Sequence, residues 1–260
     1  MFWCLTFALA IVVITILFIF LFKKSNKENL FWDIRSWFYF SLRHLMPYKQ
    51  LLEDIIQKLE IKPNQYILDA GCGIGNLENV IIQKKISNLK IKAIDFSRKM
   101  LTQAWTKIKD THNVHIDFFQ TDLDNPLPYE DETFHRIVSS NVIYALDNPY
   151  FTIKEFYRIL RTGGRLVLVT PRPEFSGAKI IINHFRLSKG LEKIKNLIIF
   201  PLFLLLVLPF EIIISVKFMR GIYHRFTKKE LERLLSSANF KNIKINFSYA
   251  GQNFLIVANK

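Results

Sequence analysis

The chain has 260 residues, half of them apolar and 24 of them Phe, enough for one α/β domain of ordinary size with apolar residues to spare. Lys and Arg number 36 against 22 Asp and Glu, a formal +14, which suits nucleic acid or an anionic membrane surface as partner. Two cysteines, Cys4 and Cys72, exclude a disulfide framework and a zinc site and point to a reducing compartment.

From Phe2 to Phe22 no residue is charged, and Ile, Leu, Val and Phe dominate. About 20 such residues at ~1.5 Å each match the ~30 Å core of a bilayer. No basic residue opens the run and no small-residue cleavage site closes it, so residues 1–24 are expected to be an uncleaved transmembrane anchor. Lys23, Lys24 and Lys27 then place the rest of the chain on the cytosolic side of a membrane. Residues 25–60, with Trp32, Trp37 and Tyr39 beside Arg35 and Arg43, are expected to form aromatic lid helices. Such rings lie at the lipid interface or cover the sheet that follows.

Residues 61–260 then alternate strand and helix. Strands are predicted at Tyr66–Asp69, Lys90–Asp95, His115–Gln120, His135–Ser140 and Arg165–Val169, the last closed by Pro171. Helices are predicted over 76–85, from about Ser97 to Lys109, and from about Tyr150 to Leu160 with a stop at Gly163-Gly164. This order predicts a doubly wound, mostly parallel sheet with helices on both faces. A helix over 228–240 and two strands, Lys241–Tyr249 and Asn253–Ala258, complete it, the two strands antiparallel across a short turn. Before them, residues 174–222 form an insertion whose run Asn196–Phe210 and Ile212–Val216 is intensely apolar, broken by Pro201 and Pro209 and flanked by Lys193, Lys195, Lys217 and Arg220. It is too short to cross a bilayer twice, so it either lies on the membrane or caps the domain or an oligomer interface.

The chemistry is concentrated in Asp69-Ala-Gly71-Cys-Gly73-Ile-Gly75-Asn76, between a strand and a helix. The glycines permit a sharp turn and close approach of backbone to ligand. A dinucleotide fingerprint needs Gly-x-Gly-x-x-Gly, and its last position here is Asn76. Asp69 would also repel a pyrophosphate, whereas S-adenosylmethionine has no phosphate and carries an ammonium. Asp95 and Asp122 close the second and third strands, so three acids sit on one edge of the sheet. A carboxylate at Asp95 is placed to accept ribose hydroxyls, and one at Asp122 to accept an adenine amino group.

Ile67-Leu-Asp-Ala-Gly-Cys-Gly-Ile-Gly75, Ala93-Ile-Asp-Phe-Ser97, Thr121-Asp-Leu, Leu127–Phe134, Val138-Ser-Ser-Asn-Val142 and Arg158–Leu166 together resemble the class I, Rossmann-like S-adenosylmethionine-dependent methyltransferases, in particular the quinone and sterol methylases. The resemblance implies a seven-stranded sheet with an antiparallel last strand, and S-adenosyl-L-methionine as cofactor. It implies that Asp69, Gly71, Gly73 and Gly75 hold the methionine end and Asp95 the ribose. Phe96 would flank the adenine, Asp122 and the Leu123 backbone would bind it, and Asn141 would begin the loop beneath the methyl group. His135 and Thr162 depart from the usual Asp and Pro, outside the cofactor contacts. Tyr144 is the polar group nearest the expected acceptor, and no general base is nominated. His112 and His115 lack partners at ligand spacing, so no metal is expected. The apolar segments point to a lipophilic acceptor at the lipid bilayer, such as a quinone, isoprenoid, sterol-like molecule or phospholipid. A soluble small molecule or protein acceptor is the alternative, and an inactive cofactor-binding membrane scaffold the rival of another class. Nucleic acid is disfavoured because the basic residues cluster beside apolar segments.

Overall fold

The computed structural model describes residues 31–33, 36, 45–108, 113–190 and 210–260. Seven strands form one sheet: β1 Tyr66–Ala70, β2 Leu89–Asp95, β3 Val114–Gln120, β4 Phe134–Ser140, β5 Leu160–Pro171, β6 Lys241–Ser248 and β7 Asn253–Asn259. Their spatial order is β3-β2-β1-β4-β5-β7-β6. The first five are mutually parallel, and β7 runs antiparallel to both neighbours. Strand order reverses between β1 and β4, where an open α/β sheet makes its ligand crevice at the carboxyl ends of the strands.

Alternation along the strands sends side chains to two cores. On one face helix α1 (Met46–Leu59) lays Leu51, Ile55 and Leu59 over Ile67, Ile91, Val167 and Val257. Helices α2 (Asn76–Gln83) and α3 (Arg98–Lys107) share that layer through Ile81 and Leu101. On the other face α4 (Pro149–Ile159) and, later, the helix Lys228–Ser237 pack Ile153, Phe156, Leu231 and Leu235 on Leu68, Ile137, Leu166 and Ile256. Each such side chain removed from water contributes about 1.5–3 kcal/mol. Helix α5 (Gly177–Leu187) docks beside α1, the buried His184 ring accepting the Met46 N–H at 3.2 Å. The helix Lys228–Ser237, α6, begins with a reciprocal cap in which Thr227 and Glu230 bond each other's backbone N–H.

Buried arginines fasten α1 to the sheet. Arg136 donates from Nε to Leu59 O at 2.6 Å and from Nη2 to Glu60 O at 3.1 Å. Arg165 reaches Lys58 O at 3.0 Å, so the last carbonyls of the helix, which lack partners along its axis, are satisfied. Arg136→Met keeps the aliphatic stem and removes both bonds. It is expected to cost about 1.5–3 kcal/mol, the worth of bonds from a charged donor, read as a lower urea midpoint.

Two expectations are corrected. Gly163-Gly164 does not stop the helix, which ends at Ile159, with β5 beginning at Leu160. The glycines sit inside the strand opposite a register shift between Phe134 and Arg136, and Gly163, at φ +74°, donates to Lys260 O. The second correction concerns the membrane-spanning helix that was to accompany the sheet. Among the described residues no helix is long and apolar enough to cross a membrane. Residues 1–24, on which that expectation rests, lie outside the described residues, as do residues 191–209 of the apolar insertion. The apolar residues described next to them turn inward: Phe31, Phe210, Ile213 and Ile214 are buried together with Tyr144 and Tyr223.

Candidate functional site

The glycine turn lies at the carboxyl end of β1. Gly71, Gly73 and Gly75 have φ of +89°, +56° and +77°, the left-handed region that a Cβ disfavours. At two of them space is also closed: a Cβ would lie 2.2 Å from Val142 Cγ2 at Gly71 and 2.3 Å from Ile108 Cδ1 at Gly75. At Gly73 a Cβ would meet nothing within 4 Å, so that face of the turn is the open one. The turn is held from below by Gly71 and Cys72 N–H donating to Ile94 O, and from the side by Asp95.

Asp95, the last residue of β2, uses both oxygens on backbone. Oδ2 accepts from Gly73 N–H and Oδ1 from Ser97 N–H, each at 2.8 Å. Burial nevertheless outweighs those bonds and raises its pKa to about 6, with Asp33 adding repulsion. Each oxygen keeps a second lone pair, so the carboxylate remains able to accept from a diol while it ties the two loops together. Phe96 is half-buried beside it, with its carbonyl accepting from Gln120 Nε2. Asp122 lies two residues beyond the end of β3, in a turn it stabilises through Asp124 N–H and Asn125 Nδ2, both at 3.0 Å. Leu123 is buried, and its carbonyl accepts from Thr152.

Asn141 follows β4 at φ +60°, its N–H donating to Val169 O and its Oδ1 accepting from Asn253 Nδ2 at 2.8 Å. The left-handed turn there swings the chain into the short helical turn Ile143–Ala145. That turn puts Tyr144 into an aromatic layer, its ring 5.3 Å from those of Phe218 and Tyr223. Phe31, Phe210, Ile213 and Ile214 complete the layer over this part of the edge, from the N-terminal segment and from the helical segment 210–219. The N-terminal segment is docked by Asp33 accepting from Ser97 Oγ and by Ser36 accepting from Gln103. Tyr144 is therefore a wall of an apolar layer, whatever else it touches.

Asp69 is 3% exposed and Glu78, in the first turn of α2, is fully buried. Neither Glu78 oxygen receives a hydrogen bond from a protein donor. Burial raises both pKa values, that of Glu78 to about 7; Glu78 raises that of Asp69 further, whereas a hydrogen bond with Asp69 lowers that of Glu78. Glu78 was missed by sequence reasoning. An acid in a first helical turn is ordinarily a solvated partner of the helix dipole, and only its inward orientation gives it away. Cys72, also buried, has its thiol pKa pushed well up by burial and by the charges of Glu78, Asp95 and Asp69.

His135 stands at the opposite edge of the sheet, at the start of β4. Its Nδ1 accepts from Tyr66 N–H at 3.0 Å, and burial, then the Arg161 charge, lowers its pKa. It belongs to the fold. Among the described residues no group of His, Cys, Asp and Glu is arranged to hold a metal ion.

The edge thus presents three buried or half-buried acids, a glycine turn open on one face, and an orphaned carboxylate. That donor set fits a ligand with hydroxyls and a cation, and disfavours one with phosphates. Residues 68–168 match the family model described as a methyltransferase domain. A demethylmenaquinone methyltransferase of Alkalihalophilus pseudofirmus is 26% identical over 127 residues, 48% of this chain and 53% of that one, so the chain spans about half its length. A demethylmenaquinone methyltransferase of Staphylococcus saprophyticus is 25% identical over 239 residues, 88% of this chain and 93% of that one. A solved SAM-dependent methyltransferase from Aquifex aeolicus superposes with a TM-score of 0.57 at 16% identity, covering 84% of this chain and 92% of its own, a likeness of fold. Fold and site define a methyltransferase domain over residues 68–168. Quinone methylases are among the proteins it is similar to.

Proposed function

We propose that the chain transfers the methyl group of S-adenosylmethionine to a lipophilic acceptor of the quinone or isoprenoid kind. The observation that carries the acceptor class is the layer of Phe31, Tyr144, Phe210, Ile213, Phe218 and Tyr223 beside Asn141, next to the edge that the cofactor site occupies. The names of the two demethylmenaquinone relatives support it.

The bound cofactor supplies an activated methyl on a sulfonium that is its own leaving group. Asp69, Gly71, Gly73 and Gly75 would hold its aminoacyl end, Asp95 its ribose, and Phe96, Asp122 and Leu123 its base. Asn141 and the turn after it would border the methyl. The protein then contributes alignment and a dry site, effects worth up to about 7–11 kcal/mol in well-oriented reactions. The aromatic layer excludes water on the acceptor side.

The test is transfer of radiolabelled methyl to organic extracts from cells lacking the protein. Label is expected in one apolar species in the organic phase. Phe210→Ser with Ile213→Ser should raise KM for that species by roughly tenfold or more, given about 1.5–3 kcal/mol per buried apolar side chain, and leave the S-adenosylhomocysteine Kd unchanged. Label confined to water-soluble products or protein, indifferent to those substitutions, would remove the lipophilic reading.

A further inference from the structure

Glu78 is placed by the turn that precedes it. Gly75, in the left-handed region, starts α2, and the next residues alternate inward and outward: Leu77 and Glu78 are buried, Asn79 is exposed, Ile81 is buried. A surface cap would sit where Asn79 sits. Glu78 instead points back under the glycine turn towards β1, where Asp69 lies, the two carboxyls close enough to share a hydrogen bond whenever one of them holds a proton. Both Glu78 oxygens are sealed from solvent and receive no other bond. An orphaned carboxylate in such a place costs several kcal/mol unless it is neutralised or paired.

Among the described residues the titratable groups that bear on the pair are acids. Asp95 reaches it from β2, the Cys72 thiol from the glycine turn, and Asp33 stands behind Asp95 from the N-terminal segment. The start of α2 offers only about half a unit of positive charge, too little for two carboxylates. Two carboxyls in contact under these conditions share one proton.

We propose that Asp69 and Glu78 form a single proton-binding pair that gives up its proton when the ammonium of the cofactor's aminoacyl end docks against it. Cofactor binding is thereby coupled to proton release. The inference rests on the cofactor reading given above and adds Glu78 as a ligand-side residue. The exchange balances: the pair with one proton and one negative charge takes up one ammonium, becomes doubly ionised, and passes one proton to the buffer. The ammonium thus replaces the proton as the positive charge in the pocket.

The test is calorimetric titration with S-adenosylhomocysteine at pH 6.5 in two buffers of different ionisation enthalpy. Release of between about half and one proton is expected for the wild type, with Kd tightening by up to tenfold per pH unit while the free pair holds its proton and levelling once it has lost it. 5′-Methylthioadenosine lacks the ammonium and should bind with no release. Glu78→Gln should bind S-adenosylhomocysteine with no release and a flat pH profile. Equal release by wild type and Glu78→Gln, or by both ligands, overturns the pairing and leaves the cofactor reading intact. No binding of S-adenosylhomocysteine by the wild type overturns both. The ligand-free protein gives an independent readout that does not need the variant. The folded pair holds its proton to higher pH than the unfolded chain does, so the native state binds more protons between about pH 4.5 and 7. Its melting temperature should fall as pH rises through that window, and saturating S-adenosylhomocysteine should flatten the fall. A midpoint that does not fall overturns the proposal.

Discussion

Gly71→Ala is expected to lower the stability of the ligand-free protein by about 2–5 kcal/mol and to abolish detectable binding of S-adenosylhomocysteine. Two costs add. The left-handed φ of +89° disfavours a side chain by ~1–2 kcal/mol, and the new Cβ would lie 2.2 Å from Val142 Cγ2, so the turn or the end of β4 must move. Both ends of that movement belong to the site, because Val142 follows Asn141. Gly73→Ala separates the effects. Its Cβ meets nothing within 4 Å, so it carries the conformational cost alone and fills the open face of the turn. It should melt nearer the wild type yet bind as poorly. Thermal melts and calorimetry on the two variants decide the matter. A Gly71→Ala protein with the wild-type midpoint would show that the turn is not packed as described.

The second large effect is expected at Asp95. Its carboxylate satisfies Gly73 N–H and Ser97 N–H at 2.8 Å each, and it is also the residue proposed to meet the ribose. Asp95→Ala should weaken S-adenosylhomocysteine binding by roughly 10–100-fold, corresponding to about 1.5–3 kcal/mol for bonds to a charged group. It should also lower the melting temperature, since two loop N–H groups lose their acceptor. Unchanged affinity would remove Asp95 from the ribose site even if stability fell.

Where the residues of this candidate site lie along the sheet edge could be read in part before any fold was known, for reasons that differ by residue. Asp69, Asp95 and the three glycines declare themselves because each has a local reason to be where it is: an acid at a strand end, a backbone that must turn left-handed. Other features depend on what arrives from elsewhere in the chain. The insertion of β7 between β5 and β6 follows from pairing over long separations, which local periodicity does not encode. Gly163-Gly164 reads as a helix stop by residue type, and only the register shift against β4 shows it to be part of a strand. Glu78 is the clearest case. Its position in a first turn is ordinary, and its burial against Asp69 is a tertiary fact. A membrane-spanning helix is what hydropathy alone suggests, and among the described residues no helix is long and apolar enough to be one, while the apolar residues at Phe31 and at 210–214 pack on Tyr144 and Tyr223. Hydropathy reports a need for cover without saying what supplies it.

Cys72 gives the acidic ring one more consequence. A sulfonium methyl donor is an alkylating agent, and a thiolate inside the turn that cradles it would compete with any acceptor for the same carbon. Thiolate is the reactive form, and burial together with Asp69, Glu78 and Asp95 keeps this sulfur in its protonated state. Among the described residues Cys72 is the one cysteine, and the carboxylates that would favour a cation at the proposed site also hold its thiol in the unreactive form.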